Sequence, residues 1–548
     1  MKALQKLIGR TLSYDELEAA LFLLKAEAQR KEDGSVEIEI NPDRQDMLST
    51  EGVARALRSF LEVSPGLRPF SVKKSNRSVI VGKGLEKIRR YIACGTVKGV
   101  QVDDELIREY MRLQEKLTDT HGRNRTKASI GLYVYDMIEF PVRYEVWKPE
   151  DIKFVPLGHE VTMDAPTILQ VHDKGVTYGP IIAPHKKWPV LVDSANKILS
   201  LPPVINSNDL GRVNEETSNI FVEVTGTHHL TVQQALNIMV TSLAERGGEI
   251  ESVTVHYPDG TVEETPDLKP KKTTIHVKDV ITLTGLDMDA AGLIRCLHRM
   301  GYGAASSKSD AVTVQIPAYR TDILHKVDII EDVAIGYGFD NIEPTFPTTM
   351  TTGKLRPVTR LKNKFRDLLI GVGYQEVLSY VMTSPETLGE KMLRDRPIVT
   401  TSNPKSRDYS VLRDSLLPVL LDFAAQNQHA DFPQRIFEVG DVVVPDAEAE
   451  TRTRQIQCVC ALVTDSKVNL TAMLNEIGFI LRNGGVPDDY AFEAAEDPSF
   501  ISGRNGIIKT AGRTIGYFGE VHPEVLTRFS IARPVVAFEL YLPHDGVW

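Results

Sequence analysis

Residues 317–341 read PAYRTDILHKVDIIEDVAIGYGFDN, and four carboxylates, Asp322, Asp328, Glu331 and Asp332, fall within eleven of them. The run 326–337 has no Pro and no Gly before Gly336, which predicts a helix. At about 100° per residue, Asp328, Glu331 and Asp332 share a stripe roughly 100° wide. Val327, Ile329, Ile330, Val333, Ala334 and Tyr337 fill the rest of the circumference. This is a mostly buried helix with one narrow acidic face. Asp322 lies upstream, where the chain can fold it back toward that face. Carboxylate oxygens around one point suit a hard cation such as Mg²⁺. The same spacing also describes a solvated stripe with Asp322 near an N-cap.

Outward from this helix, residues 273–345 form a small α/β unit. It has a strand at 274–277, a short helix from Lys278, a helix over 289–300 ended by Gly301, and a strand at 312–316. Linkers at 266–272 and from Phe346-Pro347 bound it. Upstream, 76–268 is a mixed block. A helix over 103–120 carries Leu106, Tyr110, Leu113 and Leu117 at helical spacing. A basic loop follows, His121-Gly122-Arg123-Asn124-Arg125-Thr126-Lys127. Strands are predicted at 129–135, 142–146, 190–193, 219–225 and 250–256, with a helix over 231–246. The polar segment 193–214 suits turns, and equally a binding wall. Residues 1–75 read as an α/β unit: a helix capped by Ser13 and Glu16 running to Lys31, an alternating strand at 36–40, and a helix from Ser49 or Thr50 to Leu61. Residues 355–548 form the largest block, opening on a basic helix at 359–370 and closing on a strand. The fold class is therefore multidomain α/β and α+β, with units at 1–75, 76–268, 273–345 and 355–548.

The totals narrow the chemistry. The 548 residues carry a net charge of −10, so any RNA contact must use local patches. Four cysteines without a C-x-x-C pair do not make a disulfide scaffold, and reduced thiols in a chain this large fit the cytosol. No run of 18 apolar residues suggests a membrane span, and the N-terminal stretch has no signal-peptide pattern. P-loop, G-x-S-x-G and H-E-x-x-H patterns do not occur. Adjacent His228 and His229 make a poor metal pair, and the acidic helix is the one constellation with metal-binding chemistry.

Five stretches then carry a resemblance: NPDRQDMLSTEGVARAL (41–57), HGRNRTKASIGLYVYD (121–136), YRTDILHKVDIIEDVAIGYGFDNI (319–342), SNPKSRDYSVLRDSLLPVLL (402–421) and IGYFGEVHPEVL (515–526). In this order they closely resemble the β subunits of phenylalanyl-tRNA synthetases of the archaeal/eukaryotic type, over essentially the whole chain. The resemblance implies an α2β2 ligase that joins phenylalanine to tRNA(Phe), with ATP bound on the α partner. It implies that 76–268 is an editing domain hydrolysing Tyr-tRNA(Phe), and that 355–548 is a class II synthetase-like antiparallel core without catalysis. The family's metal motif maps without departure onto Asp322, Asp328, Glu331 and Asp332, for a Mg²⁺ at the α/β contact. Arg435-Ile436-Phe437-Glu438 resembles the first arginine motif of class II enzymes, whereas the closing region 518–524 has no arginine. Arg528 lies too far along to replace it. Asn206, Ser207 and Asn214 are implied as the editing-pocket wall, and His121, Arg123 and Arg125 as tRNA contacts or, equally, a solvated loop. A cytoplasmic location follows from the same resemblance. Two other readings compete: a structural, tRNA-positioning subunit with degenerate editing, and a stand-alone Mg²⁺-dependent hydrolase built on the acidic helix.

Overall fold

Helix Thr50–Phe60 buries Val53, Leu57 and Phe60 on one face, and the Ser49 side chain caps it by accepting from the Gly52 N–H. The N-terminal helices cover part of that face through Leu4, Ile8, Leu17 and Leu21. In the computed structural model, which describes residues 1–308, 310–546 and 548, one continuous core joins Leu57 and Phe60 to Leu297, Val312 and Ile330. The 1–75 and 273–345 segments therefore share a single hydrophobic interior. The chain divides by contacts into Met1–Phe346 and Pro347–Trp548.

Within the first unit, residues 271–337 supply a three-stranded antiparallel sheet in the order Lys271–His276, Ala311–Ile316, Gly303–Lys308, with helices Val277–Thr284, Ala290–Arg299 and Lys326–Tyr337. The helix over Lys326–Tyr337 matches the sequence reading residue for residue. Strand Gly303–Lys308 was not anticipated, because its small polar residues lack alternation. The predicted 13–31 helix stops at Leu23. Lys25 turns left-handed (φ 62°), and Ala26–Arg30 pairs antiparallel with Val36–Ile40. Hairpin pairing here overrides the helix propensity of AEAQR.

The 76–268 block supplies ten strands of a mixed sheet that has eleven among the described residues, the other being Val72–Lys73, which pairs parallel with Glu249–His256. Helices Asp104–Asp119 and His229–Ala244 pack on one face, over Ile130, Val222 and Val224. The opposite face holds a second apolar layer around Phe221, Tyr133 and Tyr144. The second unit is a sheet of seven strands among the described residues, antiparallel except where Gln375–Glu376 runs parallel to Gln434–Pro445. Helices Pro357–Gly371 and Leu470–Gly484 belong to one of its cores, and Leu417–Gln426 and Pro523–Arg528 to the other. Among the described residues, no helix is long and apolar enough to cross a membrane.

Candidate functional site

Strand Ile220–Gly226, IFVEVTG, is buried along its whole length and carries one charge, Glu223. Alternation sends Ile220, Val222 and Val224 to the helices and Phe221 and Glu223 to the other face. There the Tyr133 hydroxyl donates to Glu223 Oε2 at 2.9 Å and lies 2.8 Å from Ser200 Oγ. Gly131 pairs with Glu223 across the strands. A Cβ at Gly131 would sit 2.6 Å from Glu223 Oε2 and 2.4 Å from the Tyr133 oxygen, so glycine is what admits this contact. Glu223 Oε1 has no hydrogen-bond partner among the described residues. Burial pushes the carboxyl up to about 7, against the opposing pull of Tyr133, Thr225 and Arg89. Glu223 lines a cavity of about 110 Å³, together with Ser200, Asn206, Leu132, Arg125 and Lys174. The result is an apolar slot with a buried carboxyl, and the Lys174 ammonium among its lining residues pairs with Glu115 at 2.9 Å.

The sequence-predicted wall residues separate. Asn206 lines the cavity and anchors itself by donating from Nδ2 to the Leu132 carbonyl at 3.2 Å. Ser207, 1% exposed, instead caps the short helix Asn208–Gly211 by accepting from the Leu210 N–H. Asn214 is spent on a turn, accepting from the Thr217 hydroxyl at 2.9 Å and the Glu216 N–H at 3.1 Å. Neither is among the lining residues of the cavity.

The basic loop also divides. Arg123, Asn124 and Arg125 are all left-handed, at φ 49°, 49° and 63°. For residues other than glycine this costs about 1 kcal/mol or more each. Arg123 and Asn124 keep their side chains in solvent. Arg125 turns inward: Nη1 donates to the Pro203 and Val204 carbonyls, both at 3.0 Å, and the guanidinium stacks 4.0 Å over Tyr178. It braces the cavity wall rather than reaching for a backbone phosphate. His121 is half-buried, and burial pushes its imidazole down to about 4, so it is neutral near pH 7. Arg89, fully buried, ties the loop to the sheet through the Arg125 carbonyl at 2.8 Å and the Thr225 carbonyl at 2.6 Å. Sequence reasoning missed Glu223, Tyr133, Ser200 and Arg89. The available signal was a single acid inside an otherwise apolar strand.

On the acidic helix, Arg320 organises the carboxylates. Its Nη2 lies 2.6 Å from both Asp322 Oδ2 and Asp332 Oδ2, and its Nε donates to Asp322 Oδ1 at 2.9 Å. Although burial opposes it, this guanidinium holds the Asp322 carboxyl below its usual range. The Tyr302 hydroxyl donates to Asp332 at 2.5 Å. Asp328 instead completes a capping box, accepting from the Leu324 and His325 N–H groups at 2.7 and 2.6 Å. Glu331 pairs with Lys25 at 3.2 Å. The donor chemistry suits Mg²⁺, but these placements do not gather the oxygens. Among the described residues, no three His, Cys, Asp or Glu groups stand ready to hold one ion.

In the second unit, the arginines of the class II resemblance are committed elsewhere. Arg435 lies 4.3 Å over Tyr374 and donates to Glu476 at 2.8 Å. Arg528 donates to Glu524 and to the Glu390 carbonyl, both at 2.6 Å.

Two family models match the chain: the tRNA synthetase B5 domain over residues 273–339, and the phenylalanyl tRNA synthetase beta chain CLM domain over 342–542. The phenylalanine–tRNA ligase beta subunit of Pyrococcus horikoshii is 39% identical, covering 98% of this chain and 97% of its own length. That of Methanosarcina acetivorans is 37% identical, covering 97% and 98%. A crystal structure of an N-terminal fragment of the Pyrococcus horikoshii phenylalanyl-tRNA synthetase beta subunit superposes with a TM-score of 0.59 at 38% identity, over 62% of this chain and 98% of the fragment. With identity at this level sustained from end to end, the chain belongs to the family of phenylalanyl-tRNA synthetase β subunits.

Proposed function

We propose that the chain is the β component of a phenylalanine–tRNA ligase and that its Glu223 cavity hydrolyses tyrosyl esters wrongly attached to tRNA(Phe). The observation that carries this reading is the buried Glu223 carboxyl with an oxygen left without a partner at a cavity wall. A tyrosyl ring entering the slot gives that carboxyl a phenolic O–H to bond. A phenylalanyl ring fills the same space and leaves the polar group unpaired, a difference that discriminates strongly. Cleavage adds water across the ester, returning free tyrosine and the tRNA 3′-end. The Cys94 thiol, paired across the strands with Glu223, is pushed well up by burial and is no nucleophile. Arg125 positions the Pro203–Val204 wall, while Arg123 offers exposed charge to the tRNA backbone. The test is Glu223→Ala in the α/β complex. Tyr-tRNA(Phe) deacylation should fall while Phe-tRNA(Phe) synthesis continues. Deacylation at the wild-type rate would remove the cavity from consideration.

Synthesis belongs to the α partner, which binds ATP and phenylalanine, in an α2β2 assembly. The engaged Arg435 and Arg528 support a second unit that serves as a class II-like core without catalysis. Its surface also carries Leu378, Tyr380 and Tyr409, exposed at 86%, 76% and 49%, apolar area suited to a subunit contact. Mg²⁺ binding by Asp322, Asp328, Glu331 and Asp332 belongs to the same reading and is supported by the B5 match and the all-oxygen donor set. It requires Asp328 and Glu331 to exchange their present partners for the ion. Asp328→Asn should lower the magnesium content and α/β assembly of the complex, and unchanged values of both would sink the assignment.

A further inference from the structure

A second cavity, of about 70 Å³, lies where residues 44–69 meet 300–320. Among the described residues, five arginines line it, Arg44, Arg55, Arg58, Arg68 and Arg320, against one carboxylate, Asp46. Arg44 forks onto Asp46 at 2.8 and 3.0 Å. Three others share a single acid from the end of helix His229–Ala244. Arg68 Nε and Arg58 Nη2 reach Glu245 at 2.9 and 3.1 Å, and Arg55 Nη1 stands 3.9 Å away. Arg55 is 4% exposed and lies 3.8 Å over the Tyr319 ring. Its Nε and Nη1 have no hydrogen-bond partner among the described residues, and neither does Arg320 Nη1. A chain of net charge −10 has thus concentrated guanidinium groups at one point and left buried donors unused. Glu245, and on the far side of Arg320 Asp322 and Asp332, offset part of this charge, but unused buried N–H groups are costly, so the arrangement favours an occupant that accepts several hydrogen bonds and carries negative charge.

We propose that this cavity binds one phosphate-sized oxyanion carried by a small molecule. Guanidinium forks match phosphate geometry. A phosphate in an RNA backbone shares that chemistry, but Arg44, Arg55 and Arg320 are only 4–7% exposed, and the space suits a single group that can enter fully. The site is independent of the Glu223 cavity, so the two readings fail separately.

The test uses the full chain with its α partner and inorganic phosphate as the probe, titrated by calorimetry at matched ionic strength against chloride. Saturable uptake of one phosphate per chain is expected. Arg68→Ala, at a half-exposed position that tolerates change, should weaken it about tenfold. Arg55→Lys keeps the charge and removes the fork, and should weaken it similarly. Glu223→Ala should bind phosphate as wild type does. Absence of saturable uptake, or wild-type affinity in both arginine variants, overturns the site. Displacement of the bound phosphate by added tRNA overturns the small-ligand occupant and assigns the arginines to RNA.

Discussion

Two strands carry a lone glutamate in an apolar run, IFVEVTG at 220–226 and VVAFELYL at 535–542. Both carboxyls are buried, at 2% and 0% exposure, and burial pushes both upward. Their surroundings differ. Glu539 Oε2 accepts from the Ser415 and Tyr517 hydroxyls and from the Leu416 and Leu417 N–H groups, at 2.9–3.1 Å. Glu223 Oε2 accepts from Tyr133, and the residue borders open space. A buried acid surrounded by donors holds its unit together. A buried acid beside a cavity with few donors has capacity left for a ligand. Burial, a raised pKa or an unpartnered Oε1, which both residues have among the described residues, does not tell the two apart; the cavity beside Glu223 does.

The comparison can be broken most directly at Glu539. Glu539→Ala strips the acceptor from four donors and should cost about 4 kcal/mol, read as loss of the cooperative unfolding transition of the 347–548 unit. Glu223→Ala should cost that unit nothing, and a reversed pattern would undo the distinction.

Next in size is a pH effect. The folded state raises the Glu223 carboxyl from its ordinary 4.5 to about 7. The folded form therefore holds the proton more tightly than the unfolded chain. The associated stability is complete below about pH 4.5 and is lost as pH rises through 7, by about 3 kcal/mol in all. Glu223→Gln should abolish this dependence in urea unfolding followed by Trp147 and Trp188 fluorescence. Parallel wild-type and variant curves between pH 4.5 and 7 would contradict the buried titration.

Tyr133→Phe sharpens the comparison further. It removes a donor to Glu223 without opening a large space, and tyrosyl-ester hydrolysis should fall about tenfold, some 1.4 kcal/mol. The smallest effect is expected on the exposed part of the basic loop. Arg123→Ala should change stability by no more than about 0.5 kcal/mol. It should reduce the salt slope of tRNA binding by about one, measured by filter binding across ionic strengths.

What the sequence made legible follows from the range of the interactions. Helix Lys326–Tyr337 was readable to the residue because its stripe, its capping region and its Gly338 stop all lie within one short segment. The strands around Glu223 were readable from their apolar runs. The hairpin at 26–40 was not, because AEAQR favours helix and is held extended by its partner strand. The shared core of the first unit was also hidden, since Leu57 and Val312 belong to one interior across most of that unit's length and leave no local periodicity. At the site, Asn206 stood out in a polar loop. Glu223 did not, because what gives it meaning is a tyrosine ninety positions away and the glycine that lets the two approach. The four acids were correctly seen as a cluster in sequence, but a neighbouring arginine, invisible to a count of carboxylates, decides where two of them point.

The shared core also sets a schedule for synthesis. Helix Thr50–Phe60 leaves the ribosome long before Ile330, the far side of its own interior. At about 5–20 residues per second, the intervening 270 residues take roughly 14–54 s. For that interval Leu57 and Phe60 have no native cover from the 275–335 segment. The first helices of this chain are thus exposed to holdase chaperones for far longer than their position near the N-terminus suggests.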